Sequence, residues 1–251
     1  ADNDAGARLA RELRTLTFGV DWPVKRFFSA RQVRRLPYLF SVAPEGFSIP
    51  GLPPDRQPPA RAGFPPTHEL LEESYRRILL ALEGIVVGTP YLFGARPTLA
   101  DFSIYGQIRM NFADPSANAF IAATAPTVHR WIQGMDEIDP RGLSTAEAVA
   151  SDALRPLLAE ICRLYVPLMQ QNAAALERFR RAGETRFNEA AFDAGRCLYD
   201  GEIDGRPFRS VAKSFQAKTW RRLCEAWSGL ADRERRRVES LLPSGIGLRI
   251  C

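Results

Sequence analysis

A mainly α-helical chain is predicted by three features of the 251-residue sequence. Apolar residues recur every three to four positions over most of its length. One segment, Thr98-Leu-Ala-Asp101, carries a complete helix-start signal. Strand chemistry is confined to one stretch, Cys197 to Phe208, which holds two Asp-Gly turn signals. The expected architecture is a helical bundle with a long proline-rich loop and a C-terminal helical extension containing a small β-hairpin.

Residues 4–36 place Leu9, Leu13, Leu16, Val20, Val24 and Phe27 on one helical stripe, with Arg8, Arg11 and Arg14 between them. Pro23 should kink or split that helix. Residues 37–66 hold nine prolines, so a long loop is expected there. Thr67 is placed to cap a helix running to about Val87, with Leu71, Tyr75, Ile78, Leu82 and Ile85 buried. Glu72–Arg76 and Glu73–Arg77 are i,i+4 pairs in the favourable orientation, and Gly88 is a suitable stop.

The next helix, over 98–112, opens on a capping box. The Thr98 hydroxyl can accept from the Asp101 N–H while the Asp101 carboxylate accepts from the Thr98 N–H. Pro97 and Phe102 are placed as a hydrophobic staple. Leu99, Phe102, Ile104, Tyr105, Ile108, Met110 and Phe112 make this helix apolar on more than one side, which assigns it to the middle of a bundle. Gly106 then reads as a point of close helix approach.

A helix over 118–138 follows, bent or restarted at Pro126, with Val128, Trp131, Ile132 and Met135 apolar. His129 has no partner acid or nucleophile placed by the sequence and is read as a surface or satisfied residue. From Pro156, Leu157, Ile161, Leu164 and Leu168 form a stripe interrupted at Pro167. A hairpin is expected near 197–209, with Pro207 on an edge. Trp220, Leu223, Cys224 and Trp227 then share a helix face, and Asp232 can cap a last short helix ended by Pro243-Ser-Gly.

The order and spacing of the Tyr91-Leu-Phe-Gly turn, the Pro97-Thr-Leu-Ala-Asp box and Ala125-Pro-Thr-Val-His-Arg-Trp-Ile-Gln-Gly-Met135 resembles the C-terminal helical domain of glutathione S-transferases. The resemblance covers roughly residues 4 to 138, is specific over 91–135 and fades beyond. It implies a helical domain at 1–141, including the loop at 37–66; the extension at 142–251, longer than most family members carry, is expected to pack on it. It also implies that the first helix lines a pocket for a small hydrophobic electrophile. Phe18, Trp22 and Arg26 are the substrate-binding candidates for that wall, while the alternative makes the aromatics core and Arg26 solvated. A connecting loop as long as 37–66 departs from the family pattern.

In that family the glutathione site sits on an N-terminal thioredoxin-like domain, which is not recognisable in this sequence. Val42-Ala-Pro-Glu-Gly46 resembles a cis-proline stretch only faintly, since it sits in the proline-rich loop without flanking strands. Asp2-Asn-Asp-Ala-Gly-Ala-Arg8 resembles the interdomain linker. The expectation is therefore the electrophile-pocket half of a glutathione S-transferase-like parent, with glutathione as the parent's co-substrate and a homodimer as the assembly. No catalytic residue, and no activity of its own, is assigned to this chain. The alternative is a stand-alone, non-catalytic binding module, and a third reading is an anion or nucleic-acid surface over 213–237.

Composition narrows these readings. The net charge is +5 and the pI near 9.3, yet lysine occurs only at Lys25, Lys213 and Lys218. Such an arginine-for-lysine, alanine-rich balance follows from a high-GC, bacterial-type coding sequence, and the interspersed acids argue against a nucleic-acid stripe. No apolar run approaches the roughly 18–20 residues of a membrane span, and no signal peptide is recognisable, so a cytoplasmic protein is expected. Cys162, Cys197, Cys224 and Cys251 show no metal-ligand spacing with one another or with His68 and His129, which predicts free thiols and no metal.

Overall fold

The computed structural model describes residues 31, 33–54, 57–139 and 146–243. The candidate wall residues Phe18, Trp22 and Arg26 lie outside the described residues. Two compact units are present, Ala1–His68 with Phe208–Ser210, and Glu69–Pro207 with Val211–Cys251.

In the first unit helical backbone runs over 33–39 and ends at Phe40, whose φ of 103° turns the chain out of the helix. The proline-rich loop that follows is held by its own polar groups. The Gln57 amide donates to the carbonyls of Ile49 (2.9 Å) and Leu52 (2.8 Å) and accepts from the Ile49 N–H (2.6 Å). Thr67 is buried, and its hydroxyl accepts from the Val42 N–H and donates to the Phe40 carbonyl, both at 2.9 Å. The residue expected as a helix cap therefore clasps the start of the loop to its end. Phe40 meets Phe208 edge-on, with ring centroids 4.9 Å apart.

The regular elements that follow are α1 (His68–Val86), α2 (Leu99–Met110), α3 (Pro115–Thr124), α4 (Pro126–Asp136), α5 (Arg155–Glu160), α6 (Val166–Arg181), α7 (Glu189–Asp193), β1 (Leu198–Ile203), β2 (Arg206–Val211), α8 (Ser214–Ser228) and α9 (Asp232–Leu241). The chain is thus mainly helical, as expected, with one two-stranded hairpin among the described residues. Its core joins Leu79, Leu82 and Ile85 of α1 to Ile108, Ile121, Val128 and Ile132, and Leu154 and Leu157 close it from the extension. Each such side chain contributes about 1.5–3 kcal/mol by leaving water. Along α1 the buried stripe runs through Leu70, Leu79, Leu82 and Ile85, leaving Leu71 exposed and Tyr75 and Ile78 half-buried, because the core contacts the C-terminal half of the helix.

Several expectations are corrected. Helix α2 buries only one side: Leu99 is 83% and Met110 66% exposed, with Phe102 also in solvent. An apolar count could not show that one of its faces lacks a neighbour. Gly106 has open space where a Cβ would stand, so among the described residues no helix approaches it. Pro126 restarts the helix, as expected, because Ala125 leaves helical geometry between Thr124 and the new start. Pro167 follows a π-helical turn over Ile161–Tyr165, in which the Val166 N–H reaches back to the Ile161 carbonyl. A proline has no N–H to give, and this wider turn is the local adjustment that precedes it.

The hairpin turns at Asp204-Gly205, both at positive φ (53° and 71°), as a two-residue type I′ connection requires. The second Asp-Gly, Asp200-Gly201, lies within β1. In α8 Trp220 is buried and Cys224 and Trp227 half-buried, but Leu223 is exposed. The start of α9 is served by Glu234, which accepts from the Ala231 N–H at 3.1 Å, and Asp232 occupies the first turn instead of the cap. Cys162 and Cys197 are free thiols, whereas Cys224 is disulfide-bonded, contrary to the expectation of free thiols throughout.

Candidate functional site

The start of α2 is the best-defined polar centre in the bundle. A tight turn precedes it, with Tyr91 and Gly94 exchanging backbone hydrogen bonds of 3.2 Å and Gly94 at φ 106°, a conformation that excludes most side chains. Asp101 is 0% exposed and accepts from the Thr98 N–H (2.7 Å), the Thr98 hydroxyl (2.7 Å) and the Leu92 N–H (2.8 Å). The Thr98 hydroxyl faces the Asp101 N–H in the capping-box arrangement and donates its own proton to the carboxylate. Thr98 and Asp101 are thus brought together as the sequence predicts. The Leu92 bond adds a second role, fixing the turn to the helix start.

A second carboxylate repeats the device at longer range. Helix α4 begins at Pro126 behind Ala125, which has no capping side chain. Glu83 of α1 supplies the acceptor, taking the N–H groups of Thr127 (2.9 Å) and Val128 (2.8 Å). Burial pushes the Glu83 carboxyl up, but these hydrogen bonds and the Arg130 charge outweigh it and hold it below its usual value. Trp131 completes the tie by donating its indole N–H to the Pro90 carbonyl at 2.9 Å. Sequence reasoning missed Glu83 and the Pro90 contact. An uncapped Ala-Pro helix start was the one available signal that an acceptor must come from elsewhere.

At the outer edge of α2, Tyr105 donates to Asp136, which also accepts from Arg109 at 2.9 Å. The Tyr105 bond, with the Arg109 bond and charge beside it, holds the Asp136 carboxyl low, and the bond to Asp136 raises the Tyr105 phenol. His129 bonds the Asn118 side chain at 2.8 Å and stacks on Phe112 at 4.8 Å, a satisfied residue as expected. The carboxylates of Asp101, Glu83 and Asp136 are all engaged by donors of this chain. They position helices and present no idle base to a substrate.

In the extension, the Asn172 side chain is 0% exposed and grips the residue before α8, accepting from the Lys213 N–H (2.7 Å) and donating to the Lys213 carbonyl (3.0 Å). Burial pushes the Lys213 ammonium down to about 8. Among the described residues no group of His, Cys, Asp and Glu could hold a metal ion, and no helix is long and apolar enough to cross a membrane.

The comparisons with known proteins agree with this architecture. The family model described as "Glutathione S-transferase, C-terminal domain" matches residues 65–134, which span α1 to α4 and contain both carboxylate ties. No curated protein and no solved structure matches the chain. The Thr98–Asp101 box, the Pro126 restart and the Trp131 tie fall inside the matched segment, so residues 65–134 are similar to a glutathione S-transferase C-terminal domain.

Proposed function

We propose that this chain is the helical, electrophile-pocket half of a glutathione S-transferase-like protein. The match of residues 65–134 carries the reading. The parent joins glutathione to small hydrophobic electrophiles, and its thioredoxin-like half holds the peptide thiol. Glutathione supplies the nucleophilic sulfur when bound. This chain's part is to wall the electrophile with Phe18 and Trp22 and to orient an anionic group with Arg26, in the apolar, few-polar-group pattern of small-molecule pockets. Two features support a partner half. The carboxylates within the matched segment hold helices and offer no thiol activation, and the exposed Leu99, Phe102 and Met110 face of α2 gives that half an apolar surface to cover. We further place the protein in the cytoplasm as a homodimer.

The test is turnover. The full-length gene product, given reduced glutathione and 1-chloro-2,4-dinitrobenzene, is expected to form the thioether, and the 251-residue chain alone is expected to pass through glutathione-agarose unretained. Retention of the chain alone, or a full-length protein that turns over no electrophile in a chemically varied panel, overturns the proposal. The latter result favours the stand-alone binding module.

A further inference from the structure

A groove of about 490 Å³ runs between α6 and α8, outside the segment that matches the family. We propose that it binds a small amphipathic organic anion, a carboxylate or sulfonate carried on an apolar ring or chain. The inference stands independently of the glutathione reading.

The groove's floor is apolar, formed by Leu176 and the indole of Trp220, both buried where α6 and α8 pack. Phe215 stands at its lip and is 79% exposed. A second hollow of about 430 Å³ adjoins it through the shared residues Arg180 and Ser214. Volumes of this order suit a ligand of one or two rings.

The charges around the groove select the ligand's sign. The groove's acidic lining residue, Glu177, is paired with Arg181 at 3.0 Å, and Glu184 of the adjoining hollow is paired with Arg196. Arg221 pairs with Glu225 at 3.6 Å. Arg180 and Lys218 make no ion pair among the described residues, so two cations face the groove without a counter-charge. The first N–H groups of α8, a 15-residue helix with no side-chain cap, open at the same end as Ser214. They add the positive pole of the helix dipole. An apolar floor under two uncompensated cations fits an anionic head on an apolar body. A nucleic-acid strand fits poorly, because Glu177 and Glu184 interrupt the basic surface it would follow.

Isothermal titration of the chain with 1-naphthoate, with the neutral 1-naphthalenemethanol and with a single-stranded oligothymidylate tests this. Saturable one-to-one binding of naphthoate is expected, weakened about tenfold in the alcohol and about tenfold by Arg180→Gln with Lys218→Gln, the size of a lost charged contact. Arg233→Gln with Arg236→Gln, which removes the same charge from α9, is expected to leave it unchanged. No saturable binding, equal binding of the alcohol, an equal loss in the α9 pair, or tighter binding of the oligonucleotide overturns the proposal.

Discussion

The family-matched bundle and the C-terminal extension are both helical, yet their polar groups are used differently. In the bundle, buried or half-buried carboxylates terminate helices from a distance: Asp101 holds Leu92 and Thr98, and Glu83 holds Thr127 and Val128. Each charge sits at the positive end of a helix, where backbone N–H groups otherwise lack partners. In the extension, a neutral amide does the buried work at Asn172, and charges lie at the wetter seams. There Arg77 and Arg163 both meet Glu160 and Asp204, with side chains 12–31% exposed. The bundle thus depends on carboxylates that accept from helix-start N–H groups, whereas the extension depends on one amide clamp and on partly exposed ion pairs. The difference teaches where pH and mutation should act.

The largest expected effect is in the bundle. Asp101→Ala removes the acceptor of two backbone N–H groups and one hydroxyl at a site without solvent, and a loss of about 2–4 kcal/mol is expected, combining a lost cap with an orphaned buried donor. Denaturant unfolding measures it. A loss below that of an ordinary exposed cap would mean that the Leu92 bond carries nothing.

Asn172→Ala tests the extension's counterpart. It removes the Asn172 bond to the Lys213 N–H and one of two donors to the Lys213 carbonyl, which keeps the Ala217 N–H at 3.2 Å, and should cost about 1–3 kcal/mol. Its signature should be a loosening of α8 seen by hydrogen exchange, with the amides of Leu92 and Thr98 keeping their protection. Equal loss of protection in both regions would erase the contrast between them.

Glu83 separates the two regions by pH. Its folded-state carboxyl titrates below the ordinary value, so the stability it contributes is fully present above about pH 4.5 and lost as pH falls through the lower folded value. Glu83→Gln should cost about 1–2 kcal/mol near neutrality, and the gap from wild type should close in acid. A gap that is the same at pH 3 as at pH 7 would contradict the assignment.

Lys213 gives the smallest effect and the opposite window. Its ammonium is depressed from 10.5 to about 8, so between these values the unfolded chain binds more protons and stability rises with pH. Lys213→Met should flatten that rise, a difference of about 1 kcal/mol after allowance for partial solvent access. A wild-type curve that is already flat from pH 8 to 10 would remove the buried cation from the account.

What the sequence made legible was local. The Thr98–Asp101 box could be read because its partners lie three residues apart, and the hairpin because Asp204-Gly205 has a turn chemistry of its own. The core helices could be read from their stripes. The Glu83–Thr127 tie spans 44 residues and the Asn172–Lys213 clamp 41, and nothing in either segment's pattern points to the other. The exposed side of α2 was misread for a related reason. Leu99, Phe102 and Met110 declare that they are apolar, but only the tertiary arrangement says whether anything covers them. The groove between α6 and α8 was foreshadowed by basic residues beside tryptophans, without any sign of which of them would be paired.

The proposed pocket wall is Phe18, Trp22 and Arg26, and kinetics of the full-length protein test it most directly. Initial rates of glutathione conjugation should show kcat/KM falling about tenfold in Trp22→Ala and in Arg26→Ala, the loss of one pocket contact each. The same rates should be unchanged in Arg180→Gln with Lys218→Gln, which lies in the extension. Unaltered kcat/KM in both the Trp22 and the Arg26 variants would contradict the placement of the electrophile pocket on this chain.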